Sequence, residues 1–222
     1  MLPAGYIELD SITSTGTQFV DIDFYPTNKT RIVLTAQFTQ TPTAITVLFG
    51  AGQSSDVFLT FLSGSGKLNM RHGSSSNYNV NCLATDKNIY DYNQNTLTVN
   101  SVNSVTAPEI EFNVPYSCYL FGLNNKGTLQ YPASFTLFEC YAYDAGLLKR
   151  HLTPCKNPNQ EVGLYDIVSS RFFSNGGTGE FIAGNPVDPV VSFFRNFKTV
   201  EIPEGRVAKV TRKADNILIW EK

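Results

Sequence analysis

Along most of the chain, polar and apolar residues alternate with a period of two, in short runs rich in Val, Ile, Thr, Phe and Tyr. The runs QFVDIDF (18–24), TRIVLTAQF (30–38), ITVLFGA (45–51), DVFLTFL (56–62), KLNMRH (67–72), NTLTVN (95–100), YSCYLFGL (116–123) and SFTLFECYAY (134–143) are separated by Gly, Asn, Ser and Pro. A period of two puts successive side chains on opposite faces of a strand, and short strands recurring between turn residues predict a sandwich or barrel. There are enough of them for two packed sheets, so a jelly-roll sandwich leads. Helical periodicity is confined to DAGLLKRHL (144–152), a weak and short candidate.

In VGLYDIVSSRFFSNGGTGEFIAG (162–184) the cluster NGGTG has the look of a phosphate-cradling loop, yet there is no room for a helix between Gly179 and Pro186. Asn175-Gly176 between two strand-like runs predicts a hairpin with a type I′ turn instead. Leu164, Ile167, Phe172 and Phe173 would then fill the sandwich. GNPVDPVVS (184–192) carries two prolines and no period, and reads as a linker. The expected division is a sandwich over 1–184, a Pro-rich linker over 185–195 and a small β tail over 196–222. The tail holds three strand-like runs, KTVEI, RVAKVT and NILIW. Three such strands cannot bury a core alone, so the tail is expected to dock on the sandwich or a partner, or to oligomerise, through Val200, Ile202, Val207, Val210, Ile219 and Trp220.

Composition narrows the partners. Charged residues make up 16% of the chain against a usual value of about 25%, while aromatics reach 13%. A net charge of −2 gives no basic face for nucleic acid. Seven of the 17 Lys and Arg residues fall at 185–222 against five of the 19 acids, so the tail is mildly basic. No run approaches the roughly 18 apolar residues of a membrane span, and MLPAGYIELD lacks the basic start and apolar core of a secretory signal. Cys82, Cys118, Cys140 and Cys155 are widely spaced without a CxxC pair, the pattern of free buried thiols in a protein made in a reducing cytoplasm.

Three long strings, LPAGYIELDSITSTGTQFVDIDFYPTNKTRI, TLFECYAYDAGLLKRHLTPCKNPNQEVGLYDIVSSRFFSNGGTGEFIAG and VEIPEGRVAKVTRKADNILIWEK, are similar to the laminin-G-like, concanavalin A-like domains of bacteriophage and prophage structural proteins. The first two bracket the sandwich, so the likeness covers nearly all of residues 2–184. It implies an all-β, two-sheet jelly roll with a small C-terminal three-stranded module, its N-terminal ELDSI closing against YAYD. It also implies a virion structural protein (fibre, tail or capsid decoration), made in the host cytoplasm and exposed on the particle. The partners it implies are other virion proteins, further copies of itself and a bacterial surface glycan.

Concanavalin A-like folds also house glycoside hydrolases, whose retaining members need two carboxylates about 5 Å apart. Glu8 with Asp10, Asp21 with Asp23 and Glu109 with Glu111 come nearest, but each pair reads as the solvated face of a strand, so no catalytic residue is assigned. His72 and His151 have no partner at metal-ligand spacing. No cofactor is expected, unless it is calcium taking oxygens from Asp56, Asn124 and Asn125, residues that turn chemistry explains equally well. For carbohydrate, KLNMRHGSSSNYNVN sets Asn69 and Arg71 on one face and Leu68, Met70 and His72 on the other, with Asn79 and Asn81 alternating beyond. Those four would form a hydrogen-bonding platform beside Tyr90 and Tyr92 as stacking groups. Alternatively they are the ordinary polar positions of a half-exposed sheet. The enzyme and the cell-surface adhesin remain as alternatives to a non-catalytic virion lectin.

Overall fold

A computed structural model describes residues 2–53, 56–63 and 67–187, together with the strand backbone of 197–201, 209–212 and 218–221. Among the described residues the chain is all-β, without a helix, and folds as a two-sheet sandwich.

The larger, eleven-stranded sheet runs in the order β11 (Asn103–Thr106), β10 (Thr96–Val99), β9 (Asn88–Asn93), β4 (Thr30–Phe38), β15 (Phe135–Asp144), β16 (Leu147–Lys156), β17 (Val162–Asp166) and β18 (Arg171–Phe173). Short β1 (Ile7–Glu8) adds to β16, and β2 (Ile12–Thr13) pairs with both β15 and β19 (Ile182–Ala183). The smaller sheet has eight strands, with the path β14 (Thr128–Gln130), β13 (Leu123–Asn125), β5 (Thr46–Gln53), β6 (Asp56–Leu62), β7 (Lys67–His72) and β8 (Tyr78–Asn81). On it β12 (Tyr119–Leu120) joins β5 to β3 (Val20–Asp21). All pairings are antiparallel except β13 with β5.

Alternation along β4 is complete: Thr30, Ile32, Leu34, Ala36 and Phe38 are buried and the residues between them are half-buried. Their inner faces meet those of the smaller sheet in one core, where Phe58 of β6 stacks on Tyr92 of β9 at 4.3 Å and Phe121 on Phe135 at 4.4 Å. Cys118, Cys140 and Cys155 are buried free thiols and Cys82 is half-buried.

Three expectations are corrected. DAGLLKRHL is not helical: Ala145 (φ 48°) and Gly146 (φ 81°) form a two-residue turn from which β16 runs back along β15. That is the type I′ geometry expected at Asn175-Gly176, where neither residue has a positive φ and where β18 and β19 pair with β17 and β2 instead of with each other. Gly176 and Gly177 serve close approach instead. A Cβ on Gly176 would stand 2.5 Å from the Phe19 ring, and one on Gly177 would stand 2.1 Å from the Thr17 carbonyl oxygen. The Asn175 side chain fastens the loop, its Oδ1 accepting from Phe19 N and Gly177 N and its Nδ2 donating to Gly179 O. Finally, residues 7–13 close against 136–137, 155–156 and 182–186, not against Tyr141–Asp144.

The tail forms β20 (Phe197–Glu201), β21 (Lys209–Arg212) and β22 (Leu218–Glu221), an antiparallel sheet in which Val200, Val210 and Trp220 are register partners and Ile219 precedes Trp220. Ile202 and Val207 lie outside the described residues, as do 188–196 of the expected linker. Residues 185–187 still belong to the sandwich edge: Asn185 O accepts from Asp10 N, and Val187 N donates to Glu8 O.

Candidate carbohydrate-binding face

Strand β7 separates its side chains as the sequence predicts. Leu68, Met70 and His72 enter the core, while Asn69 and Arg71 face outward on the smaller sheet. Register then brings the polar positions of β8 beside them, Asn79 opposite Asn69 and Asn81 opposite Lys67. Asn79 and Asn81 are exposed. Asn69 is mostly buried, and its Nδ2 donates to Lys67 O at 2.8 Å, so it braces the strand end.

Tyr90 and Tyr92 require correction. Both belong to β9 in the opposite sheet and are 0% exposed. The pattern NIYDYN has two readings of its alternation, and the one realised turns Asn88, Tyr90 and Tyr92 inward and Ile89, Asp91 and Asn93 outward. Burying two large rings outweighs the cost of their hydroxyls because both hydroxyls are partnered. Tyr92 Oη donates to Arg71 O at 2.8 Å, and Tyr90 Oη lies 3.3 Å from Asn88 Nδ2. Neither ring can stack on a ligand at the surface.

The apolar component of the outer face comes from residues not singled out in the sequence. Val47, Val57, Leu59, Phe61 and Leu123 form a second hydrophobic cluster, separate from the core. In DVFLTFL both faces of β6 are apolar, because Phe58 and Leu62 point to the core while Val57, Leu59 and Phe61 point out. Thr60 is the one polar residue inside this run, so the alternation that would mark one face as wet is missing. Gly50 sits between Leu123 and Leu59, and a Cβ there would stand 2.5 Å from Leu59 Cβ. Beside this close approach lies a shallow depression of about 50 Å³, lined by Ile45, Val47, Leu59, Phe61, Leu123, Tyr131 and Arg71.

Two large apolar side chains stand exposed at its rim, Tyr131 at 47% and Ile45 at 45%. Tyr131 is held there through its carbonyl, which accepts from Val47 N at 3.0 Å. Arg71 lies with its guanidinium carbon 5.6 Å from the centre of the Phe61 ring, and its Nε donates to Asn77 Oδ1 at 2.7 Å. Among the described residues its other guanidinium N–H donors have no partner, and they lie beside an apolar floor. An exposed aromatic, a greasy depression and a fixed guanidinium together match one face of a sugar ring and its hydroxyls.

The outer face of the larger sheet differs. Its tyrosines 141 and 143 stack at 6.5 Å, but its polar groups satisfy one another. Arg31 grips Asp91 through two hydrogen bonds of 2.9 and 2.7 Å, while Glu139 accepts from Tyr141 Oη and pairs with His151 Nε2.

Asn124 is buried and fully committed to its turn, with Nδ2 donating to Ser117 O and Oδ1 accepting from Gly127 N. Asn125 Oδ1 is buried without a partner, and Asp56 is the single carboxylate of the three. Among the described residues no group of three His, Cys, Asp or Glu side chains is placed to hold a metal. Two of the three acid pairs are tied locally as well: Asp21 Oδ1 accepts from Asp23 N, Asp23 pairs with Arg171 at 2.8 Å, and Asp10 accepts from Asn185 N. No family model matches this chain, and neither does any curated protein.

Proposed function

We propose that this chain is a non-catalytic, lectin-like structural protein of a phage particle, which binds host-surface carbohydrate through the outer face of its smaller sheet. The observation that carries the reading is the juxtaposition of exposed Tyr131, the depression beside Gly50 and the Arg71 guanidinium. Virion membership and the concanavalin A-like class rest on the resemblance of the N-terminal, 136–184 and C-terminal strings to phage laminin-G-like domains. Assembly into homo-oligomers, or docking on other virion proteins, is assigned to the tail, whose outer strands β20 and β22 each pair on one side only among the described residues.

The test is binding of the purified protein to bacterial surface polysaccharides, with calcium and with a chelator, beside an assay for released reducing ends. Saturable binding without released sugar is expected. Release of reducing ends, or no binding to any host polysaccharide, overturns the reading.

A further inference from the structure

We propose that the sandwich carries a second ligand site, a preformed polar cleft floored by His72, which takes a small polyhydroxyl ligand the size of one sugar or cyclitol ring. The cleft holds about 380 Å³, within the range of about 300–1,000 Å³ common for small-molecule sites. It shares no residue with the sheet face described above, and it stands or falls independently of that face.

Its walls come from four stretches distant in sequence that are hydrogen-bonded to one another. Gln94 N donates to Thr30 O at 2.8 Å, and Ala145 N to Lys29 O at 3.2 Å. Asn95 and Ala107 exchange two bonds of 2.8 Å, one from Ala107 N and one from Asn95 Nδ2. The segment bearing Glu109 and Glu111 is pressed onto the end of β7 at Gly73, where a Cβ would stand 2.6 Å from Phe112 Cδ1 at a φ of +57°. A site tied in this way needs little ordering to accept a ligand.

The floor is defined by proton accounting. Tyr92 has one hydroxyl proton, and it goes to Arg71 O. The contact of 3.2 Å between Tyr92 Oη and His72 Nδ1 must then be donated by Nδ1–H. His72 is therefore the Nδ1–H tautomer, and its Nε2 is a bare lone pair with no partner among the described residues. The ring is 1% exposed, packs edge-on against Phe112, and lines the cleft with its remaining surface. Burial also lowers its pKa, which keeps the acceptor neutral at physiological pH.

An acceptor without a partner among the described residues, on a buried ring that lines a cleft, calls for a donor. Two further acceptors, Glu109 and Glu111, and one donor, Lys29, line the same space, and none of the ion pairs among the described residues uses them. The three acceptors do not converge on one point, since no metal-holding group forms there. Dispersed acceptors with an ammonium in the same lining fit a ligand whose donors are also dispersed and whose oxygens accept as well, which is the chemistry of a ring carrying several hydroxyls.

The experiment uses the full chain labelled with ¹⁵N, in which His72 and His151 are the two histidines, and titrates glucose and myo-inositol in separate samples. His72 is expected to show a protonated Nδ1 and a bare Nε2, and the Nε2 resonance to shift saturably with at least one of the two ligands. Glu111→Gln should weaken that affinity about tenfold, as for one hydrogen bond to a charged group, while Tyr131→Ala leaves it unchanged. A response to both ligands assigns general polyol chemistry, and a response to glucose alone assigns a sugar ring. A protonated Nε2, no saturable shift with either ligand, or a shift insensitive to Glu111→Gln overturns the proposal.

Discussion

Tyr92 reaches across the sandwich to donate its hydroxyl proton to the carbonyl oxygen of Arg71, at 2.8 Å, so the residue expected at the surface instead anchors the strand beneath it. Tyr92→Phe leaves the Arg71 carbonyl and the His72 Nδ1–H without their partner in a dry core. It should cost about 1–3 kcal/mol in chemical denaturation while leaving the outer face able to bind glycan. Loss of binding in a variant of undiminished stability would place the ring at the ligand after all.

His72 gives that region a pH dependence. Burial lowers its pKa below the ordinary 6.5, so the unfolded chain takes up the proton first. The stabilisation is complete above about pH 6.5 and declines as pH falls toward the depressed folded value, by at most about 1.4 kcal/mol per pH unit. Unfolding curves for the protein and for His72→Gln between pH 7 and 5 should converge as the solution is acidified. Parallel curves would contradict this assignment.

Asp166 is 0% exposed and closes the turn between β17 and β18. It accepts from His151 N, Val168 N and Ser169 N, from Ser169 Oγ at 2.6 Å, and lies 3.7 Å from Arg150 Nε. Asp166→Ala removes the acceptor of three amides and of the Ser169 hydroxyl at once, and should lower stability by roughly 3 kcal/mol or more. A change in unfolding free energy under about 1 kcal/mol would contradict this role.

Thr60 makes the opposite case. Its Oγ1 is buried on the inner face of β6 without a hydrogen-bond partner. Thr60→Val keeps the shape and removes an unmet polar group, so thermal unfolding should show a gain of about 1 kcal/mol, whereas a loss would mean that the hydroxyl has a partner.

Much of this architecture is legible in the sequence because a period of two is a local signal. TRIVLTAQF became β4 without adjustment, and KLNMRH divided its faces as expected. What failed was decided by contacts remote in sequence. NIYDYN can present either set of side chains outward, and the core hydrogen bonds of Tyr92 with Arg71 and His72 chose between them. Asn175-Gly176 has ideal turn chemistry, yet the approach of Phe19 and Thr17 uses those glycines for clearance, while Ala145-Gly146 makes the tight turn. The depression on the outer face draws Val47, Leu59 and Leu123 from three strands, and only the apolar residues on both faces of β6 hint at it.

The central claim is that the smaller sheet's outer face binds carbohydrate, and equilibrium binding to a host-surface polysaccharide tests it when four proteins are compared. These are the natural chain, Tyr131→Ala, Arg71→Ala, and Tyr143→Ala on the opposite face as control. Tyr131→Ala and Arg71→Ala should each weaken binding by about tenfold or more, equivalent to about 1.4 kcal/mol, with Tyr143→Ala close to the natural chain. Undiminished binding by Tyr131→Ala and Arg71→Ala, or a loss confined to Tyr143→Ala, would contradict the account.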